Sequence, residues 1–322
     1  MSKFLITGGA GFIGSNYLLE MVDKYKDDTF VCVDALTYCG NLNNLKPIMN
    51  RPNFKFIKED ITHKEKMFEL FKDEHFDYVI NFAAESDVDR SLNDPTLFFN
   101  TNVYGTGVLL EASRLYGIKK FHQISTDEVY GDIEREDNET SFKEDSKLNP
   151  RNPYSASKAA ADLLVLAYKH TYNLNISISR SSNNYGPYQY EEKLIPLVIK
   201  HALSNKKVPV YGDGLNMRDW LYVRDNCEAI DKIVRSNING EIFNICGKQE
   251  RTNLYVIKQI LSYLNKKEDL IEYVKTRPND DKRYVLDTTK IEAKLGFKPK
   301  AIFEESLIET INWYLNNPEF LN

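Results

Sequence analysis

The chain lacks the features that mark several large classes of protein. No apolar run approaches the roughly 18 residues that a membrane helix needs, so no membrane partner is expected. The first residues enter a strand-like run at once, KFLITGG, with no charged-then-apolar leader; a cytoplasmic location is the expectation. Positive charge is in deficit, with 42 Lys and Arg against 47 Asp and Glu. That balance argues against nucleic acid as a partner. Cysteine is scarce: Cys32, Cys39, Cys227 and Cys246 form no C-x-x-C pair, and the 5 His show no metal-ligand spacing. No metal is expected. Cys32 and Cys246 lie in apolar runs and read as core residues.

What is present is an ordinary globular composition, 42% hydrophobic and 28% charged over 322 residues. That is enough chain for one large domain or two smaller ones. Apolar runs alternate with helical stretches: KFLITGG, then GSNYLLEMVDKY; FVCVDAL; FKFIKED, then KEKMFELFKD; DYVINFAAES, then a helical segment from about Thr96 to Tyr116; KFHQISTDEVYG, then YSASKAAADLLVLAYKHTY; and ISISRSSNNYG. Continuous apolar strands between helices predict an α/β fold, a parallel sheet covered on both faces. After about Gly186 the pattern becomes irregular. A smaller C-terminal α/β domain is expected there, one that the chain enters more than once. The expected division puts 1–186, about 223–252 and the terminal helix 308–322 in the larger domain, with about 187–222 and 253–307 in the smaller.

The stretch TGGAGFIGS runs from a strand through a glycine-rich turn into a helix. Gly8, Gly11 and Gly14 let the backbone turn tightly and approach a pyrophosphate at a helix N-terminus. Asp34 follows 20 residues after Gly14, at the end of the next strand, where a carboxylate binds ribose hydroxyls and repels a 2′-phosphate. The reading is a Rossmann-like doubly wound sheet that binds NAD rather than NADP. Asp60 ends the following strand and reads either as an adenine contact or as a strand-end cap. Cys39 falls beside this site, but no base to activate its thiol is evident.

Tyr154 and Lys158 stand four apart in a predicted helix, so they share one face. A neighbouring ammonium lowers a phenol's pKa, and such a Tyr can take an alcohol proton while hydride leaves to NAD. The strand end QISTDEVYG adds Thr126, Asp127 and Glu128. Alone, that triplet could be a polar turn with a capping residue.

Taken with LITGGAGFIGSN, DALTYCGNLNNL, NFAAESDVDRS, STDEVYG, NPYSASKAAAD, SNNYGPYQYEEKLIPL, VYGDGLNMRDWLYV and RPNDDKRYVLD, the chain resembles the extended short-chain dehydrogenase/reductases that act on nucleotide sugars. Within them it is similar to the dTDP-glucose 4,6-dehydratases. The sister epimerases and decarboxylases generally lack the Asp-Glu pair. The resemblance implies a lyase with tightly bound NAD that is regenerated each turnover. Tyr154, with Lys158, would take the C4 hydroxyl proton, Thr126 steady the C4 oxygen, Glu128 take the C5 proton and Asp127 protonate the departing C6 hydroxyl. The two carboxyls must then differ in protonation, as burial and repulsion can arrange.

The implied cofactor contacts are Gly8, Gly11, Phe12, Ile13, Gly14, Asp34, Thr37, Asp60, Ile61, Ala83, Ala84, Ser86, Thr101, Tyr154, Lys158 and Asn184. The implied substrate contacts are Ser86, Asp87, Thr126, Asn183, Lys193, Leu194, Pro209, Val210, Tyr211, Arg218, Asn253, Arg277 and Asp280. Arg218 and Arg277 suit a diphosphate, with surface ion pairs as the alternative. SNNYGP reads as a contact segment or as a tight turn. The resemblance also implies a homodimer, joined through a four-helix bundle built on the helices beginning near Thr96 and Tyr154.

Two places depart from the family pattern. Asp87 stands where His is typical, and Asn279 and Asp280 replace Gly and His. Either the specificity is unchanged, or the substrate is a UDP-linked or 2-acetamido sugar such as UDP-N-acetylglucosamine. A nucleotide-sugar epimerase and a non-catalytic NAD- or sugar-binding module are the other readings. The first has no use for the Asp-Glu pair, and the second would be expected to have lost Tyr154 or Lys158.

Overall fold

A computed structural model describes residues 1–137, 139–276 and 281–321. Arg277, Asn279 and Asp280 therefore lie outside the described residues. The large sheet has seven strands, all parallel. They are β1 (Lys3–Thr7), β2 (Thr29–Asp34), β3 (Phe54–Lys58), β4 (Tyr78–Asn81), β5 (Lys120–Thr126), β6 (Ile176–Ser181) and β10 (Glu241–Ile245). Their order is β10-β6-β5-β4-β1-β2-β3. Strand order reverses between β1 and β4, which opens a crevice at their C-terminal ends. Three short strands, β7 (Asn183–Tyr185), β9 (Met217–Tyr222) and β11 (Glu250–Thr252), form a second sheet; β8 (Val208–Tyr211) and β12 (Ile271–Val274) form a third.

Strands β1, β2 and β4 are largely apolar because helices cover both faces of the sheet. Phe4, Ile6, Phe30 and Cys32 turn to one face. They meet Tyr17, Leu18 and Met21 of α1 (Phe12–Lys24) and Ile230 and Val234 of α8 (Val223–Arg235). Leu5, Val31 and Val33 alternate to the other face. There they meet α2 (Lys64–Glu74), α5 (Thr106–Tyr116) and α6 (Pro153–Tyr172) through Met67, Phe71, Leu109 and Val165. Each such side chain, fully buried, contributes about 1.5–3 kcal/mol. Cys32 and Cys246 are buried as expected, and so is Cys227.

The helix expected from about Thr96 is helical throughout but not uniform. After two short helices, α3 (Val88–Asn93) and α4 (Pro95–Phe98), the chain widens into a π-helical stretch at Phe99–Gly105 and then continues as α5. Helix α6 begins at a capping box, in which Asn152 and Ser155 exchange side-chain and backbone hydrogen bonds.

A separate core joins β7, β8 and β9 to α7 (Leu194–Leu203), α9 (Asn253–Tyr263) and α11 (Phe303–Asn316); α10 (Thr289–Leu295) packs on β10. The position of α11 corrects an expectation. Its Leu307, Ile311 and Tyr314 bury against this smaller core and not against the large sheet. An amphipathic pattern says that a helix has an apolar face, not which neighbour takes it. Among the described residues, no helix is long and apolar enough to cross a membrane and no cluster fits a metal.

Candidate active site

A cleft of ≈ 320 Å³ runs along the crevice at the ends of β1 and β4. Its floor is the glycine turn. Gly8 holds φ +68, and a Cβ there would lie 2.5 Å from the Ala83 nitrogen; a Cβ on Gly14 would lie 2.5 Å from the Gly8 carbonyl oxygen. Helix α1 starts at Gly11 with no side-chain cap, so its first amides are left facing the cleft for an anion. At the end of β2, the Asp34 carboxylate accepts from the amides of Ala10, 2.9 Å, and Leu36, 2.8 Å. Asp60 lines the cleft and also acts as a cap, accepting from Thr62 N and Oγ1 at 2.8 and 2.7 Å.

The other end of the cleft collects the acid–base groups. Thr126 ends β5, and its hydroxyl accepts from Glu128 N at 3.3 Å, capping a 3-10 turn over Asp127–Tyr130. This capping role and a cleft-facing position coexist. Asp127 is 3% exposed. Its Oδ1 accepts from the Thr126 hydroxyl at 3.2 Å, while Oδ2 is buried with no hydrogen-bond partner among the described residues. Burial, and then the neighbouring Glu128, push the Asp127 carboxyl well above the usual carboxylate range. Glu128, which keeps a partly exposed edge, is also raised, by burial first and then by Asp281, with Asn152 pulling down.

Tyr154 and Lys158 reach the same cleft from α6. Their electrostatics differ from the expectation. Burial, then Glu128, push the Tyr154 phenol up, and the Thr126 hydroxyl beside it draws it down. The Lys158 ammonium is not among the main influences on the phenol. Its Nζ donates to the Ile124 carbonyl at 2.6 Å, and burial brings its pKa down to about 8.

The cleft also brings together Phe12, Ile13, Thr37, Ile61, Ala83, Ala84, Ser86, Thr101, Asn183, Asn184 and Lys193. Thr101 enters from the π-helical stretch, a local widening that recurs at functional sites. Leu194, Pro209, Val210, Tyr211, Arg218, Asn253 and Asp87 are not brought to the cleft lining. Val210 and Leu194 pack with the smaller core. The Arg218 guanidinium donates to the carbonyls of Met217, Lys282 and Asp281. Asp87 caps α3, accepting from Arg90 N at 2.8 Å, and its other oxygen lies 3.4 Å from Lys193 Nζ.

Several lining residues escaped the sequence reading: Tyr38, Gln189, Tyr190 and Glu192. Glu85 is buried, with its carboxylate 3.3 Å from Arg90, whose guanidinium stacks 3.6 Å over the Tyr38 ring.

The cleft suits a dinucleotide. Glycine contacts stand where a Cβ would block a pyrophosphate, and uncapped helix amides stand where its charge would sit. Asp127 Oδ2, Asn183 Oδ1 and Gln189 Oε1 are buried acceptors without hydrogen-bond partners among the described residues. The residues present therefore fit a polar ligand along the whole cleft.

The family model described as GDP-mannose 4,6 dehydratase matches residues 5–310. The chain belongs to this family. The Low-salt glycan biosynthesis protein Agl12 of Haloferax volcanii is 46% identical over 98% of this chain and 99% of that protein. A dTDP-glucose 4,6-dehydratase of Escherichia coli is 43% identical over 99% of this chain and 95% of its own length. DesIV, a dTDP-glucose 4,6-dehydratase from Streptomyces venezuelae solved with NAD and TYD bound, has TM-score 0.95 and 39% identity, covering 99% of this chain and 100% of that one. The family membership agrees with the resemblance carried by the sequence motifs.

Proposed function

We propose that the chain is a nucleotide-sugar 4,6-dehydratase that converts dTDP-glucose to dTDP-4-keto-6-deoxyglucose with NAD regenerated each turnover. The observation that carries this reading is the Asp127–Glu128 pair, Asp127 buried and Glu128 partly so, set in the same cleft as Tyr154 and the glycine turn. Relatives named dTDP-glucose 4,6-dehydratase support the substrate.

NAD, when bound, supplies the redox chemistry at C4 and C6. Gly8, Gly11 and Gly14 would hold its pyrophosphate and Asp34 a ribose. Tyr154 takes the C4 hydroxyl proton, a step that requires the filled site to pull its raised pKa down; Lys158, one turn away, carries the charge that can do so. Thr126 hydrogen-bonds the C4 oxygen. With C4 a ketone, the C5 proton becomes acidic and Glu128 removes it. Asp127, whose burial favours the protonated form, gives its proton to the C6 hydroxyl, which leaves as water. Glu128 then returns the proton to C5. The proton gained at Tyr154 balances the one given by Asp127, and Thr126, adjacent to both, offers the path between them.

The test is mass spectrometry with dTDP-glucose and UDP-N-acetylglucosamine offered in parallel. The expected result is loss of one water from the dTDP sugar alone. Loss from the UDP sugar alone would reassign the substrate, and no mass change in either would overturn the dehydratase reading.

We further propose a cytoplasmic homodimer built on the α4–α5 segment and α6. Phe99 (44% exposed), Tyr104 (50%) and Leu163 (57%) leave large apolar surface on these helices, the kind of patch that a partner covers. Light scattering at working concentration should give the dimer mass; a single monomer peak would refute it.

A further inference from the structure

We propose that a buried polar chain, Asp162–Arg180–Tyr130–Asn244, positions the turn that carries Asp127 and Glu128 and so serves the elimination step in particular. The inference rests on the dehydratase reading above. None of these four residues lines the cleft. All lie beneath it, and Asp162, Arg180 and Asn244 are 0%, 2% and 0% exposed.

Their hydrogen bonds converge on the turn from both ends. Ser125, just before the turn, donates its hydroxyl to Asp162 Oδ2 at 3.0 Å. The same oxygen accepts from Arg180 Nε at 2.9 Å. Another arm of the guanidinium donates to the Tyr130 hydroxyl at 2.8 Å, at the far end of the turn. Tyr130 in turn donates to Asn244 Oδ1 at 2.8 Å, and its ring stacks on Phe142. Arg180 sits beside Ser125 on β5 and beside Asn244 on β10 in the strand register. Arg180 therefore stands on the strand between the two that carry Ser125 and Asn244.

The helix side of the chain matters equally. Asp162 lies on α6, four residues beyond Lys158 and eight beyond Tyr154, so all three share one helix face. The chain thus ties the face that bears the C4 base to both ends of the turn that bears the C5 base and the C6 acid.

Stability alone does not explain these residue types. A buried ion pair is weak evidence for stability, because well-packed apolar residues of similar volume often do as well. What Arg offers instead is a planar fork with fixed directions. Positioning is where that rigidity counts, since about 1 Å of misplacement can cost on the order of 10²-fold in rate. Helix α6 has its own capping box and its own packing against the sheet. Loosening the chain should therefore free the turn before it moves Tyr154. Asp162, Arg180, Tyr130 and Asn244 are positioning residues and not catalytic ones.

The experiment is Tyr130→Phe, which keeps the ring and removes both hydrogen bonds of the hydroxyl. A second variant is Arg180→Lys, which keeps the buried charge beside Asp162 and gives up the arm to Tyr130. Each is loaded with NAD and given dTDP-glucose, and three quantities are read: kcat and KM for water loss, melting temperature, and the mass of every sugar product. The expected result is a kcat lowered by about 10- to 100-fold with KM within about twofold. It is accompanied by sugar that has lost two hydrogens but no water. Wild-type partition between the two products in both variants would overturn the proposal. So would a fall in both half-reactions in step with a lower melting temperature, or a failure of both variants to fold, since each marks a purely structural chain. Failure of the wild-type chain to dehydrate dTDP-glucose is a separate result that counts against the dehydratase reading itself.

Discussion

The double variant Asp127→Asn, Glu128→Gln is expected to lose water elimination by about 10²- to 10⁴-fold, the range that positioned acids and bases contribute. Oxidation at C4 should survive, because Tyr154, Thr126 and Lys158 are untouched. The reaction should then yield sugar short of two hydrogens instead of sugar short of one water. An epimerase would keep most of its activity in this variant, since returning hydrogen to C4 uses neither carboxyl. The losses in the two single variants should not multiply, because the two groups act on one elimination.

The pH profile separates the roles within the pair. The base must be ionised, and burial raises Glu128 above its ordinary value of 4.5. Wild-type activity should therefore fall on the acid side as pH drops through a value higher than 4.5. The acid must be protonated, and burial and Glu128 push the Asp127 carboxyl upward, the direction that this role needs. Activity should fall again as pH rises through the Asp127 value. The residual activity of Glu128→Gln should lack the acid limb, and that of Asp127→Asn the alkaline limb. Elimination within tenfold of wild type in the double variant, or an acid limb unmoved by Glu128→Gln, would remove these two residues from the chemistry.

What was legible in the sequence was whatever a short stretch decides on its own. The glycine turn is local: three glycines, a strand before them and a helix after. The Tyr154–Lys158 pairing is likewise fixed by one turn of helix, and the structure brings both residues to the cleft. The partner of Lys158 was not legible. A four-residue spacing puts two side chains on one face, but it does not say that a β5 carbonyl lies closer to the ammonium than the phenol does. The run ISISRS places an Arg in a strand that the structure buries at every position, where its charge needs a counterion. Which counterion could not be read: Asp162 is 18 residues away, on a helix that crosses over the sheet. Tyr38, Tyr190 and Glu192 come from loops whose approach depends on how the smaller core seats beside the sheet. Val210 illustrates the limit of aligning positions. Strand alternation turns its side chain into the smaller core, so any substrate contact there would fall to the backbone or to its neighbours.

Gly14→Ala should separate cofactor binding from folding. The new Cβ would stand 2.5 Å from Gly8 O and 2.8 Å from Gly9 Cα. Both are backbone atoms of the turn, so neither can rotate away; α1 must tilt or the turn must open. Overpacking of this kind costs about 1–3 kcal/mol. Replacing Gly by Ala inside a helix gives back about 0.5–1 kcal/mol. The net effect on the unliganded protein should be a loss of about 0 to 2.5 kcal/mol, read as a modest fall in melting temperature. Binding has no such compensation, because the displaced atoms are the ones that face the pyrophosphate. NAD affinity should fall by on the order of 10²-fold, the cost of a misplacement of about 1 Å. Wild-type protein should melt higher with NAD at 100 times its Kd, by the equivalent of about 2.7 kcal/mol, and the variant should show almost none of that rise. Gly11→Ala is the control for sterics, since its Cβ would meet only Gly8 O, at 3.3 Å, and its φ is ordinary. If Gly14→Ala binds NAD as tightly as wild type, the glycine turn does not hold the pyrophosphate. If Gly11→Ala loses affinity without losing stability, the methyl stands in the ligand's own path, and the helix amides behind it are the anion site.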